Sequence, residues 1–166
     1  ITQGGAILRE VGTTNRTRAS DYAAAVTAET AAMLRVHRSN FEIVGFTESP
    51  ELGDLVEVAR AKGVPLFYDE GSGRVVDLAP YGFSAAPSLR DVVASGVDAI
   101  TCSTDKLIGA TQGGLILGKR AVIEACHRHA FHAGRPMRGV AGIGDVDQSR
   151  QFAGRGDFTE SGQHIK

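Results

Sequence analysis

The sequence predicts an α/β fold in which helices cover both faces of a mostly parallel sheet. Short, largely apolar runs such as residues 64–68 and 97–102 have the length and composition of strands that are buried on both sides. Amphipathic stretches with apolar residues at helical spacing separate these runs along the chain. Parallel strands need crossover connections, and these helices can supply them. At 166 residues the chain is long enough for one domain with a sizeable core.

The first part of the chain already shows this alternation. Residues 6–11 and 34–37 are strand candidates, and the alanine-rich stretch 22–33 between them has strong helix propensity. A second helix is predicted to begin with Pro50 at its first position, after a serine cap. Its apolar residues recur at helical spacing, and Gly63 is a typical residue for ending it.

The remaining elements follow in the same order. After the strand at 64–68, Ser88 and Asp91 fit a capping box, and the helix that they begin is expected to end before Gly96. Two further strands and one helix are then predicted, at 97–102, 114–117 and 120–132. Residues 139–166 are rich in Gly, Asp, Gln and Ser without a clear period, and we expect loop or disorder there.

Composition and charge limit the classes of protein to consider. The chain has 18 Lys and Arg against 19 Asp and Glu, a net charge of −1, whereas a nucleic-acid-binding domain usually carries a basic excess. Its two cysteines lack the density of a secreted disulfide scaffold, and its apolar runs are too short to span a membrane. We therefore expect a cytoplasmic location and no membrane partner. Because the sequence begins with Ile1 and no signal segment follows, we interpret it as part of a longer protein.

Polar side chains follow three of the predicted strands. In open α/β sheets, ligands bind beyond the carboxyl ends of the strands, so these side chains are suited to a single site. They are His37, Ser39, Asn40, Asp69, Ser72, Ser103, Thr104, Asp105 and Lys106.

Lys106 and Asp69 have the most informative chemistry of this group. A lysine just past a buried strand can form a covalent link to a carbonyl group when it is positioned and its pKa is lowered, although a surface lysine is the more frequent explanation of position alone. An aspartate after an apolar strand needs a cationic partner, such as a pyridinium nitrogen, or it caps a turn. The residues alone leave both alternatives open.

Two other groups of side chains have ordinary explanations. Three histidines of the last helix, His127, His129 and His132, favour a solvated helix face over a metal site, because no carboxylate lies at metalloprotease spacing. Arg135 and Arg138 can clamp an anion or interact with the helix dipole. The glycine-rich turns match neither a Walker nor a dinucleotide fingerprint. We therefore predict no metal ion.

Several motifs together resemble a known family. The sequence is similar to the bacterial selenocysteine synthases, or L-seryl-tRNA(Sec) selenium transferases, which are fold-type-I pyridoxal-phosphate enzymes. The similarity extends from about residue 9 to about residue 138. It is carried by Glu10-Val-Gly-Thr-Thr-Asn-Arg-Thr17, Val36-His-Arg-Ser-Asn40, Ile43-Val-Gly-Phe46, Asp69-Glu-Gly-Ser-Gly73 and Ser103-Thr-Asp-Lys-Leu107.

The resemblance implies catalytic and substrate-binding roles. Lys106 matches the lysine that binds pyridoxal 5'-phosphate covalently, and Asp69 matches the aspartate that pairs with the pyridinium nitrogen. Asp105 matches an acidic position next to the lysine. Arg135 and Arg138 match a pair that meets the anionic selenium donor, although Pro136 lies unusually between them.

The resemblance also implies further cofactor contacts. Ser103 matches a phosphate-binding position of the wider fold type, and Asn40 lies where that fold often places an asparagine near the phenolic oxygen of the cofactor. His37 and Ser72 are nearby candidates for cofactor binding.

At the level of the whole chain, residues 1–138 resemble part of the large catalytic domain, and residues 139–166 are expected to be an atypical flexible tail. The implied reaction converts seryl-tRNA(Sec) to selenocysteyl-tRNA(Sec), with loss of the serine hydroxyl and addition of selenium from selenophosphate, in a homo-oligomer. Two alternatives stay open. One is a related pyridoxal-phosphate lyase that acts on a small amino acid or amino sugar, and the other is a non-catalytic fragment.

Overall fold

A computed structural model describes residues 6–12, 15–39, 41, 43–83, 86–132 and 140–143. Five strands form one sheet in the order β1-β2-β3-β4-β5, and helices connect several of them. The elements in chain order are α1 (Ala19–Ala25), β1 (Met33–Val36), α2 (Leu52–Lys62), β2 (Leu66–Gly71), a short 3-10 helix (Ala79–Tyr81), α3 (Leu89–Ala94), β3 (Ala99–Ser103), β4 (Gly114–Gly118), α4 (Arg120–His132) and β5 (Val140–Ile143).

The sheet is mostly parallel, as the sequence predicts. β1 pairs with β2, β2 with β3 and β4 with β5 in parallel, whereas β3 and β4 are antiparallel. The antiparallel pair has a simple cause. Residues 104–113 connect the two strands, and ten residues of loop are too few for a helical crossover. Thus β2 and β3 end at the same edge of the sheet, while β4 begins there.

The main hydrophobic core lies on one face of the sheet. In β2, alternate residues Leu66, Tyr68 and Glu70 are buried, and register places Tyr68 beside Ile100 of β3. Leu66 and Ile100 are almost fully buried. Helices α2 and α3 cover this face with apolar residues at helical spacing, namely Leu55, Val56, Ala59, Leu89 and Val92.

The C-terminal end of α2 and the start of α3 follow the predicted signals. The start of α2 does not, because the helix begins at Leu52 with Glu51 as its N-cap rather than at Pro50, and the Ser49 hydroxyl accepts from the Arg35 side chain at 2.6 Å instead of capping the helix. Gly63 ends α2 in the left-handed conformation, with φ of 68°, which glycine adopts without steric cost. At the start of α3, the Ser88 amide donates to the Asp91 carboxylate at 2.8 Å, and the Asp91 amide donates to the Ser88 hydroxyl at 3.3 Å. The Ser88 hydroxyl also donates to the Asp91 carboxylate at 2.7 Å, and this bond, together with the bond from the Ser88 amide, holds the pKa of Asp91 below its usual value. None of the helices in the described part of the chain is long and apolar enough to cross a membrane.

The opposite face of the sheet is more exposed near β1. Leu34 and Val36 of β1 are 36% and 54% exposed, and Thr101 of β3 is also exposed. Toward β4, helix α4 packs against the sheet and buries Ile123. This second face, which we call the open face, carries Asp69 beside Val36 and Thr101.

Three further sequence predictions differ from the structure. Residues 6–11, predicted as a strand, have no regular secondary structure. The helix predicted over 22–33 runs only over Ala19–Ala25. After it, the Thr27 amide donates to the Thr30 hydroxyl at 2.9 Å, and such local side-chain bonds compete with a helix. The strand predicted at 64–68 lies at Leu66–Gly71, so Asp69 is inside β2 rather than after it.

The expectation of an irregular segment from residue 139 onward is wrong for four residues. Val140–Ile143 form β5 and pair with β4 in parallel. The four-residue run Val-Ala-Gly-Ile is too short to show a period, so the neighbouring strand decides its conformation. Residues 139 and 144–166 lie outside the described residues, and a flexible tail there stays a prediction.

Candidate functional site

Asp69 lies on the open face of β2, near the carboxyl end of the strand. The Thr101 hydroxyl on the neighbouring strand β3 donates to its carboxylate Oδ1 at 2.9 Å. Strand alternation places Asp69 on the face opposite the main core, although it follows Tyr68 directly in the chain. A carboxylate at this position is held in orientation by the sheet while its face is accessible to a ligand.

Lys106 lies in the loop that follows β3, at the same sheet edge. Its Nζ donates to the backbone carbonyl of Gly71 at 3.2 Å. Gly71 ends β2 two residues beyond Asp69. Asp69 and Lys106 therefore lie at one edge of the sheet, as predicted, because β2 and β3 run in the same direction. Asn40, which is predicted to lie with them, is outside the described residues.

The loop that carries Lys106 has a defined conformation. The Gly109 amide donates to the Lys106 carbonyl at 3.0 Å, and the Ala110 amide donates to the Thr104 carbonyl at 2.9 Å. The Thr104 hydroxyl donates to the Thr111 carbonyl at 2.6 Å. These bonds fold residues 104–111 into successive turns, which fixes the backbone on which the lysine is mounted.

The turn after β2, residues 70–74, surrounds a buried carboxylate. Glu70 is 1% exposed, and it accepts hydrogen bonds from the Ser72 hydroxyl at 2.6 Å and from the amides of Gly73 and Arg74. The Arg74 side chain is also buried and lies 3.9 Å from the exposed carboxylate of Asp77. Glu70 was missed as a site residue. The alternation of side chains along the strand could have indicated that Glu70 is buried, since it places Glu70 on the same face as Leu66 and Tyr68.

Thr101 was also missed, although its position could have been inferred. It is the open-face residue of β3 that pairs with Asp69. Its threonine side chain is a common choice in a strand, so composition gave no reason to select it.

His37 lies beside a tyrosine rather than beside Asp69. Its Nδ1 is 3.3 Å from the Tyr68 hydroxyl, and its backbone amide donates to the Asp69 carbonyl at 2.8 Å. Burial raises the pKa of Tyr68, with the Glu70 carboxylate adding to the rise and the Arg35 cation opposing it. Tyr68 points to the core side of β2, so the His37 ring follows it to that side.

The other predicted residues divide between the site and its surroundings. Ser103 ends β3, and alternation places it on the open face with Thr101. The Ser72 hydroxyl donates to Glu70, and Asp105 is exposed in the lysine loop. Three predicted residues lie outside the described residues, namely Asn40, Arg135 and Arg138.

A cavity of about 260 Å³ lies at the other end of the sheet, away from this cluster. It is lined by the end of α2, by Leu66 and by the Asp98–Lys119 ion pair, in which Nζ and Oδ1 are 2.6 Å apart. The second oxygen of Asp98 accepts from the Leu66 amide at 2.7 Å. These contacts connect the starts of β2 and β3 to the end of β4, so Asp98 has a structural role.

The side chains at the carboxyl edge of the sheet have different chemical capabilities. An amine, Lys106, can bond covalently to a carbonyl carbon, and a carboxylate, Asp69, can hold a proton on a basic ring nitrogen. The hydroxyl of Ser103 can donate to an anionic oxygen. The carboxyl edge of the sheet thus brings together an amine, a carboxylate and a hydroxyl, which are the groups that the resemblance expects at a pyridoxal-phosphate site.

The chain matches the profile of the family "L-seryl-tRNA selenium transferase" over residues 1–138. Among similar curated proteins, the L-seryl-tRNA(Sec) selenium transferase of Hyphomonas neptunium is 50% identical over 129 residues, which are 78% of this chain and 28% of that protein. The corresponding protein of Carboxydothermus hydrogenoformans is 48% identical over 127 residues, 76% of this chain and 27% of that protein. The chain thus spans less than a third of the length of these relatives.

A solved structure is similar as well. It is the structure of a D-glucosaminate-6-phosphate ammonia-lyase, and it superposes with a TM-score of 0.64 at 29% sequence identity. The match covers 81% of this chain and 32% of that one. The family profile and the curated relatives confirm the resemblance, and the solved structure supports the α/β fold.

Proposed function

Because this chain belongs to the L-seryl-tRNA selenium transferase family, we propose that it forms part of an enzyme that converts seryl-tRNA(Sec) to selenocysteyl-tRNA(Sec) with pyridoxal 5'-phosphate. The activity for which its relatives are named supports the reaction and the tRNA substrate. Selenophosphate is the proposed selenium donor. The observation that carries the proposal is the position of the Lys106 amine, which lies 3.2 Å from the carbonyl of Gly71, just beyond Asp69.

The residues at the sheet edge fit pyridoxal phosphate. Lys106 would bind its aldehyde carbon covalently, Asp69 would hold a proton at the pyridine nitrogen, and Ser103 would donate to its phosphate. When bound, the cofactor withdraws electrons from the substrate α-carbon and so makes the α-proton acidic. Asn40, His37 and Ser72 stay proposed as further cofactor contacts, and Asp105 as an acidic group beside the lysine.

The chain's own groups would then act in sequence. The hydrogen bond from Thr101 keeps the Asp69 carboxylate oriented on the open face, where it would keep the ring nitrogen of the cofactor protonated. The Lys106 Nζ, once the substrate amine has replaced it, would take the α-proton and pass it to the serine hydroxyl, which would leave as water. Selenium from selenophosphate would then bond to the β-carbon, water would cleave the P–Se bond to release phosphate, and Lys106 would deliver a proton back to the α-carbon. Arg135 and Arg138 are proposed to balance the negative charge of the selenium donor.

The experiment that tests this proposal is borohydride trapping in the natural, full-length protein. Pyridoxal phosphate is added, the covalent link is reduced, and the modified lysine is identified by peptide mapping. We expect the label at Lys106 and its complete loss in Lys106→Ala. Lys62 is a matched control, because it ends helix α2 away from the carboxyl edge, so Lys62→Ala should be labelled like the wild type. A label at another lysine in the wild type would contradict the assignment.

A second candidate function is supported by the solved structure. A lyase that acts on D-glucosaminate 6-phosphate, as the enzyme of that structure is named to do, could use the same lysine and aspartate. The greater sequence identity to the selenium transferases favours the first function. Incubation of the loaded protein with D-glucosaminate 6-phosphate, followed by an ammonia assay, separates the two. Release of ammonia without selenium transfer to seryl-tRNA(Sec) would establish the lyase.

We also propose that the protein acts in the cytoplasm as a homo-oligomer. Large apolar side chains are exposed on one segment after β1, where Val44 and Phe46 are 86% and 85% exposed. Apolar surface of this kind commonly marks contacts with other protein elements. Sedimentation of the full-length protein would reveal the number of subunits, and a monomer would contradict the proposal.

A further inference from the structure

Glu70 is a buried carboxylate that has no part in the reaction proposed above. It is 1% exposed and lies on the core side of β2, in line with Leu66 and Tyr68. Burial of a charged carboxylate is costly unless several donors surround it. Here the donors come from the next residues of the chain, the Ser72 hydroxyl and the amides of Gly73 and Arg74.

These hydrogen bonds determine the shape of the turn at residues 70–74. The chain bends around the carboxylate at Ser72, whose amide donates to the Glu70 carbonyl at 2.9 Å. Gly71 and Gly73 have φ of 74° and 75°, in the left-handed region that favours glycine. Without the carboxylate, the amide of Gly73 would lose its acceptor in a buried position.

The outer side of this turn supports the loop that carries Lys106. The Gly71 carbonyl accepts from the Lys106 amine, and the Ser72 carbonyl accepts from the Leu107 amide at 2.9 Å. Gly73 lies directly against this loop, since a Cβ built on it would be 2.7 Å from both the Ser103 carbonyl oxygen and a side-chain carbon of Ile108. The turn therefore contacts the lysine loop at three successive residues.

We propose that Glu70 is a positioning residue, which sets the place of the Lys106 amine relative to Asp69 by holding the turn between them. The inference rests on the proposed function, in which Lys106 binds the cofactor covalently. Glu70 follows Asp69 directly in β2, and its carboxylate accepts hydrogen bonds from two of the three residues that contact the lysine loop, Ser72 and Gly73. One buried carboxylate thus connects the strand that carries Asp69 with the loop that carries Lys106.

The first test is amide hydrogen exchange in the natural, full-length protein without cofactor. Glu70→Gln is compared with Glu57→Gln, an identical change on the exposed side of α2. In Glu70→Gln we expect the amides of Gly73 and Leu107 to exchange at least about tenfold faster, because a charged acceptor is lost. The strand amides of Tyr68 should exchange at the wild-type rate. Equal acceleration at Tyr68, or none at Leu107, would overturn the proposal.

The second test measures cofactor attachment in the same variants. We expect Glu70→Gln to form the reducible link at Lys106 at least about tenfold more slowly, and to shift the pH at which the absorbance of the bound cofactor changes. Ser72→Ala, which removes one of the carboxylate's donors, should have a smaller effect, and Glu57→Gln none. A Glu70→Gln protein with the wild-type rate and wild-type pH midpoint would refute the role of Glu70 alone.

The two proposals fail in different ways. If the wild type forms no link at Lys106, the proposed function is wrong, and the exchange of Leu107 still decides whether Glu70 holds the loop. If the wild type forms the link but the exchange of Leu107 is unchanged in Glu70→Gln, only the positioning role is refuted.

Discussion

The two faces of strand β2 have opposite surroundings and opposite tasks. On one face, Leu66 and Tyr68 are buried under α2 and α3, and the neighbouring strand adds Ile100 to the same layer. On the other face, Asp69 lies between Val36 and Thr101, which are both exposed. The same six residues therefore contribute to the core on one face and carry a carboxylate on the other. Neighbouring residues of a strand point to opposite faces of the sheet. Packing of Tyr68 in the core therefore also fixes the backbone position of Asp69, the next residue.

This comparison has a measurable consequence for stability. Leu66→Ala removes a fully buried side chain from the core face, and we expect it to lower the free energy of unfolding by about 2–5 kcal/mol. Urea denaturation followed by circular dichroism would measure the loss. A change below about 1 kcal/mol would mean that this face does not provide the main core.

A substitution on the open face should lower activity rather than stability. Asp69→Asn keeps the shape of the side chain, but an amide cannot hold the proton on the cofactor nitrogen. We expect cofactor to remain attached at Lys106 while removal of the substrate α-proton slows at least about tenfold to a hundredfold, since a charge-assisted hydrogen bond is worth roughly 1.5–3 kcal/mol. Exchange of the α-proton in deuterated water, followed by NMR, checks this. A wild-type exchange rate would defeat the assignment of Asp69.

The core face should also show a dependence on alkaline pH. Burial raises the pKa of the Cys102 thiol from its ordinary value of 9.0 to about 11, with smaller contributions from the charges of Glu70 and Asp69. The unfolded thiol loses its proton first, so stability is complete below pH 9 and is lost as the pH rises toward 11. We expect a loss of about 2 kcal/mol over this window.

Cys102→Ala provides the control for this pH effect. The variant should be less stable at neutral pH because of lost packing, but its stability should fall less steeply between pH 9 and about 11. Thermal unfolding at several pH values measures both slopes. Equal slopes for the variant and the wild type would exclude Cys102 as the source.

Removal of the N-terminal cap of α3, a helix that covers the core face, should lower stability by a smaller amount. Ser88→Ala removes the side-chain acceptor for the Asp91 amide, and we expect a loss of about 1 kcal/mol in the free energy of unfolding. The pKa of Asp91 should rise toward its ordinary value, because Ser88 is the main cause of its lowering. NMR titration of the Asp91 carboxyl measures this rise, and an unchanged pKa would contradict the observed cap.

The smallest effect is expected on the open face at β1. Val36 is 54% exposed, so Val36→Ala should change the free energy of unfolding by less than about 1 kcal/mol. Paired with Leu66→Ala in the same denaturation experiment, it compares the two faces directly. A larger loss would show that other parts of the protein cover Val36.

Sequence alone determined much of the architecture. The periodic stretch that ends at Gly63, the capping box at Ser88 and the helix at 120–132 each appear at their predicted positions. These signals are local, since they depend on the spacing of apolar residues and on hydrogen bonds within one turn. The five motifs together, from residues 10–17 to residues 103–107, indicated the family, and the comparisons confirm it.

Tertiary structure decided the features that depend on neighbouring strands. Residues 6–11 have strand composition but no regular structure, whereas Val140–Ile143 become a strand by pairing with β4. The sequence placed Asp69 after β2, but pairing with Thr101 extends the strand through it. The sequence likewise did not select Glu70 as a site residue, because its role arises where the turn contacts the lysine loop more than 30 residues away in sequence. Strand pairing and buried hydrogen bonds join distant parts of the chain, and local spacing carries little information about such contacts.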